Sequence, residues 1–223
     1  MLKKKITLLL TITLLPLSFL YCQAESGKDA YAVLNLYNGA RTTSVGLSFM
    51  PRFSNDVSAS LTNPSTLDSS LNNNVSVTYT DIFAGAYQGS IAYAHTFKKF
   101  GNFGFGLQHI NYGTFTRTEE NGDQTGNFSA NDVMFTIGWG RQLAKNVYIG
   151  ASIKPIISKY DSYNSFALAF DLAATYVSND KHLQASFALR NIGKQLDNFA
   201  SQRDTLPFDI ELGISKQFSH APL

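Results

Sequence analysis

From residue 74 onward the chain is a succession of segments in which large apolar residues alternate one by one with small or polar ones. This constrains the fold more than any other feature, because a period of two puts successive side chains on opposite faces of a strand. "NVSVTYTDI" (74–82) sets Val75, Val77 and Tyr79 against Ser76, Thr78 and Thr80. "FGFGLQHINYGTFT" (103–116) sets Phe103, Phe105 and Leu107 against Gly104, Gly106 and Gln108. "DVMFTIGWG" (132–140) separates Val133, Phe135, Ile137 and Trp139 from Met134, Thr136, Gly138 and Gly140. "NVYIGASIKPIISKY" (146–160) and "SFALAFDLAATYV" (165–177) continue the pattern. "YQGSIAYAHTF" (87–97), "HLQASFALRNIG" (182–193) and "LPFDIELGISKQF" (206–218) complete a series of about eight strands.

The two faces differ in chemistry. One is aromatic and aliphatic; the other is Gly, Ala, Ser and Thr with occasional charges, including Lys154, Asp171, Asp209 and Glu211. A transmembrane antiparallel β-barrel has this signature, apolar toward lipid and polar toward the lumen. A soluble sandwich or lipocalin-like barrel also alternates, but its core packs large residues and its charges face water. Three features favour the membrane barrel: strands of 10–14 residues, glycine and alanine on the inward face, and a leader that directs export. Only 15% of residues are charged, against roughly 25% in an average globular chain. Tyr79, Tyr112, Tyr148, Tyr160, Tyr176 and Phe218 fall near strand ends, where an aromatic girdle is expected. Pro155 and Pro207 lack a donor N–H and are expected at a strand start, a kink or an irregular edge.

Residues 1–24 read as a signal peptide: Lys3, Lys4 and Lys5, then an apolar run from Ile6 to Tyr21, then Ala24 before the cleavage point. An uncleaved anchor helix and a lipoprotein modified at Cys22 are the alternatives, with Tyr21 ill suited to the second. Residues 25–72 form an N-terminal segment with no convincing strand or helix, and 73–223 are the strands. A net charge of +2 with no basic run outside the leader gives no argument for a nucleic-acid partner.

Catalytic signatures are missing. His95, His109, His182 and His220 are scattered singly, away from metal-ligand spacing. There is no G-x-S-x-G elbow and no cofactor fingerprint, and "GNFGFG" (101–106) has no helix after it to make a phosphate loop. The inward carboxylates Asp171, Asp209 and Glu211 could be an acid/base group but read first as polar lumen lining. The chain is expected not to be an enzyme, to need no cofactor or metal, and to contact outer-membrane lipid. A membrane hydrolase is the enzymatic alternative.

The segment before the strands carries a more specific signal. "ARTTSVG" (40–46) and "NDVSASLTNPSTL" (55–67) resemble the pattern A-R-x-x-x-x-G-G … D … N-P-A-x-L. That pattern begins the PorV/PorQ family of outer-membrane proteins of the type IX secretion system, relatives of the FadL-like barrels. Ala40, Arg41 and Gly46 match its first half; Asp56, Asn63, Pro64 and Leu67 match its second. Leu47 stands where the family often has a second Gly, and Ser65 where Ala is usual. These departures, with "RNIG" (190–193) and "HAPL" (220–223), look more like the PorQ branch than the PorV branch.

The resemblance implies a 14-stranded barrel with the N-terminal segment in or under the lumen, so a chain with about eight strands is expected to be C-terminally incomplete. It implies a non-enzymatic component of the secretion apparatus that holds a PorZ-like surface protein among other attachment-complex partners. Loops 117–127 and 194–205 are the expected contacts. A FadL-like channel for hydrophobic small molecules is the alternative. Locally, Asn-Pro keeps Asn63 out of helical geometry, and small residues allow close approach to a barrel wall. Arg41 would tether the segment to inward carboxylates or carbonyls, or else reach solvent.

Overall fold

A computed structural model describes residues 31–36, 38–39, 42–43, 56–180, 182–199 and 204–216. The chain is all-β, and the eight expected strands are present. They are β1 (Val75–Phe83), β2 (Ala86–Phe97), β3 (Gly101–Thr118), β4 (Gln124–Ala144), β5 (Val147–Tyr160), β6 (Tyr163–Val177), β7 (Leu183–Asp197) and β8 (Asp209–Lys216). They form one sheet in chain order, each strand antiparallel to the next. Among the described residues β1 and β8 do not pair, so the sheet is open. No helix among the described residues is long and apolar enough to cross a membrane, which says nothing about crossing by strands.

The alternation sorts as the side-chain chemistry predicts. In β6, Ala167, Ala169, Asp171, Ala173 and Thr175 are buried, while Phe170, Leu172 and Tyr176 are exposed. In β8, Leu212 and Ile214 are 80% and 82% exposed, and Glu211 between its apolar neighbours is buried. The large apolar residues are therefore on the outside. The small and polar face is covered by residues 31–36, 38–39 and 56–72.

Consecutive antiparallel strands put alternate connections at opposite ends. The β3–β4 and β7–β8 connections, at which the expected loops 117–127 and 194–205 fall, emerge at one end, here the upper end. The β2–β3, β4–β5 and β6–β7 turns lie at the lower end. The loop at 117–127 is shorter than its polarity suggests. β3 and β4 pair up to Thr118 and Gln124, with Phe115 and Phe128 stacked at 5.3 Å. The reversal occupies only 119–123, closed by Glu119 N–H to the Asp123 carbonyl at 2.9 Å. Because β2 pairs β3 only from Asn111 and β4 meets β5 only from Ala130, this hairpin stands beyond its neighbours.

Both prolines mark irregularities. Pro155 sits where the β4–β5 ladder lapses between Met134–Ile156 and Ile137–Ile153, and Pro207 lies just before β8. The expected aromatic girdle is corrected in part. Tyr79 and Tyr176 face outward, but Tyr112 and Tyr160 turn inward, where each hydroxyl donates to the buried Asp132 carboxylate (2.7 and 3.3 Å). A buried carboxylate needs such donors, and that need outweighs the tyrosines' preference for an interface. Phe218 lies outside the described residues.

Candidate functional site

The inner face of the sheet is the site, and residues 56–72 are built to fit it. Asp56 starts a short helix, α1 (Val57–Thr62), by accepting the Ser58 N–H at 2.9 Å. This is the usual role of an N-cap carboxylate. The helix ends at Asn63, whose own N–H bonds the Ala59 carbonyl at 3.2 Å. The Asn63 side chain then caps the 3-10 turn Pro64–Thr66, accepting from the Ser65 N–H at 3.2 Å, with Pro64 at the first position. Proline is favoured there because that N–H has no partner within the turn. The sequence pattern Asp…Asn-Pro is thus two successive caps. At six residues α1 was too short to show helical periodicity.

The wall opposite this turn has lost its side chains. A Cβ on Gly140 would lie 2.6 Å from the Pro64 carbonyl oxygen and 2.7 Å from Leu67 Cβ. A Cβ on Gly150 would lie 2.2 Å from the Pro64 carbonyl carbon. One on Gly106 would lie 2.3 Å from Leu61 Cδ1. Leu61, Leu67 and Leu71 pack there with Val57, Ala92 and Ala94. Pro64 and Leu67 are therefore seated on the sheet itself, and Asn102 donates from β3 to the Leu67 carbonyl at 3.3 Å.

Ser65 is where the resemblance to the PorV/PorQ pattern departs, and its hydroxyl is used. It donates to Asn63 Oδ1 at 2.6 Å and lies 2.7 Å from Thr175 Oγ1, which lies 2.8 Å from Ser186 Oγ. Ser65→Ala is expected to lower stability by about 0.5–1.5 kcal/mol, the usual net worth of a buried hydrogen bond. The shift in urea midpoint against wild type measures it.

Of the carboxylates expected to line a lumen, Asp171 and Glu211 are buried and paired. Lys154 Nζ lies 2.5 Å from Asp171 Oδ2, and Arg190 Nη1 lies 2.6 Å from Glu211 Oε1. Arg190 also donates to the Leu34 carbonyl at 3.3 Å, tying the early segment to β7. Asp171 does more than pair. It sits at a bulge, where the β6–β7 register passes from Phe170–Ile192 to Leu172–Leu189. Asn191 takes up the extra residue with φ 56°, and its N–H donates to Asp171 Oδ1 at 2.9 Å. Asp209 is exposed beside Arg190 at the start of β8 and does not join the buried pairs. Ala40, Arg41 and Gly46 lie outside the described residues.

Arg190 and Asp132 were not singled out as site residues. Both lie in the inward phase of their strands, Arg190 with Gln184 and Ser186, and Asp132 with Met134, so alternation alone could have found them. Tyr31 was also missed. Its phenol contacts Ser165, which accepts from Gln195 Nε2 at 2.8 Å, and its ring stacks on Phe199 at 6.1 Å. Burial holds that phenol above its ordinary range, so it stays protonated.

Among the described residues no group of three or more His, Cys, Asp or Glu could hold a metal ion. The arrangement of glycine seat, capped turns and buried ion pairs holds a segment in place. No family model and no curated protein matches the chain.

Proposed function

We propose that this chain is a non-enzymatic outer-membrane component of the type IX protein secretion system, holding a PorZ-like surface protein in the attachment complex. The observation that supports the reading most is the seat of Pro64 and Leu67, which Asn63 caps. Of the residues that resemble the PorV/PorQ pattern, Pro64 and Leu67 are the ones against which the sheet is cut back to glycine, at Gly138, Gly140 and Gly150. Placement in a membrane draws support from the outward face. Val77, Leu212 and Ile214 are each more than two-thirds exposed and belong to a continuous apolar band, which soluble monomers avoid. Lipid would require the free edges of β1 and β8 to be paired, since unsatisfied backbone groups are costly there. The reading therefore includes closure of the sheet into a barrel.

The partner contacts are assigned to the upper end, where the β3–β4 hairpin stands clear of its neighbours. Replacing 119–123 by a two-residue Asn-Gly turn is expected to leave the barrel in the outer membrane and to remove the surface protein from detergent co-purification. Retention of the partner would move the contacts elsewhere. Deletion of the gene is expected to abolish surface display of secreted cargo; normal display would sink the proposal. The channel alternative draws little from the inner face, which carries Lys154–Asp171 and Arg190–Glu211 where a greasy passage would need apolar groups. Unimpaired long-chain fatty-acid uptake in the same deletion strain would exclude it.

A further inference from the structure

The outer face is not uniform. Across β4–β7 two neighbouring rows of outward residues run Trp139–Ala151–Leu172–Leu189 and Arg141–Ile149–Ala174–Phe187. Large side chains flank the two alanines, which lie diagonal to one another. The result is an open apolar cavity of about 350 Å³ bordered by Trp139, Leu172 and Phe187 and floored by Ala151 and Ala174. Trp139 is fixed at its border by a hydrogen bond from Nε1 to the Phe100 carbonyl, 2.8 Å long.

The cavity lies toward the lower end, and that end is basic. Among the described residues of its three turns and the strand ends flanking them, the cations are Lys98, Lys99, Arg141 and Lys145, and the acid is Asp180. The upper end instead carries Glu119, Glu120, Asp123 and Asp161 around its tips, against Arg117 and Lys159, with Arg117 paired to Asp161. Arg141 is directly opposite Ile149 of the cavity wall, one outward position beyond Trp139. It and Lys145 are exposed and make no ion pair to a described residue. Trp139, whose indole bonds the turn carbonyl of Phe100, sits at the depth at which aromatic side chains sit in a membrane interface. Just beyond that depth come the headgroups, and just inside it the acyl chains.

We infer that this cavity is a binding site for an anionic glycerophospholipid of the leaflet at the lower end. One acyl chain lies over Ala151 and Ala174, and the phosphate meets Arg141 and Lys145. The inference rests on the membrane reading above. It adds a preference to it: an apolar wall alone would hold zwitterionic and anionic lipid equally, whereas the cations at the cavity mouth select negative charge.

Trp139 is the single tryptophan of the chain, so it reports on its own surroundings. The full chain is reconstituted into phosphatidylcholine vesicles doped with a minor fraction of lipid brominated on its acyl chains, either phosphatidylglycerol or phosphatidylcholine. Brominated phosphatidylglycerol is expected to quench Trp139 at lower mole fraction. The enrichment should be on the order of tenfold, about 1.4 kcal/mol. Arg141→Gln with Lys145→Gln should abolish the preference and leave ordinary quenching. Ala174→Leu should reduce quenching by both lipids, by filling the cavity. Equal quenching by the two lipids in the wild type would overturn the site and leave the membrane reading standing. No quenching by either would overturn both.

Discussion

Asp171→Asn is expected to lower stability by about 3–5 kcal/mol, the cost of leaving a buried charge without its partner. The substitution is nearly isosteric. An asparagine can still accept from the Asn191 N–H at the bulge and still meet Ser152, whose hydroxyl donates to Asp171 Oδ2 at 2.9 Å. It removes the charge facing Lys154, whose side chain is 3% exposed. Among the described residues, the hydrogen-bond partner left to that ammonium is Asn191 Oδ1 at 3.4 Å. The measurement is equilibrium urea unfolding of the detergent-refolded protein. Adding Lys154→Met to Asp171→Asn should restore most of the loss, because removing both charges removes the burial penalty as well. If the double variant stays as weak as the single one, the bulge geometry, and not the charge, holds this region.

Gly150→Val is expected to lift residues 61–67 off the sheet. Even a methyl at this position would overlap the Pro64 peptide, at 2.2 Å from its carbonyl carbon and 2.4 Å from Ser65 N. These are backbone atoms, so no rotamer change relieves the clash, and overpacking of this kind costs roughly 1–3 kcal/mol or more. Gly89→Ala is the control, since a Cβ there meets nothing within 4 Å. Brief digestion with chymotrypsin distinguishes the two. Leu61, Leu67 and Leu71 are buried and should be cut only when the turn leaves its seat. Equal protection of both variants would refute the idea that glycine is there for the segment.

The strands were legible because each face has its own chemistry and the pleat reads faces directly. Which face lies inside was also legible, from glycine and alanine at Gly104, Gly138, Ala167 and Ala169. The seat itself was not. Gly140 and Gly150 meet Pro64 across a separation of more than seventy positions, and nothing local marks that contact. The bulge at Asn191 was hidden for a different reason. It shifts the phase of β7 by one residue, using a left-handed asparagine where a glycine would have drawn notice. Polarity misled at 117–127, where threonines and a stacked Phe115–Phe128 pair continue the ladder. Proximity to strand ends misled for Tyr112 and Tyr160, because Asp132 is visible as their acceptor only once β3, β4 and β5 are side by side.

The glycine seat bears on the shape of the sheet as well as on its contents. Where side chains separate a sheet from what it covers, their rotamers can absorb a change in spacing. At Gly140 and Gly150 backbone meets backbone, and nothing between them can give. The turn at 64–67 thus acts as a mandrel for β4–β6: it limits how closely the wall can wrap there. A homologous wall with alanine in place of either glycine would have to follow a gentler arc.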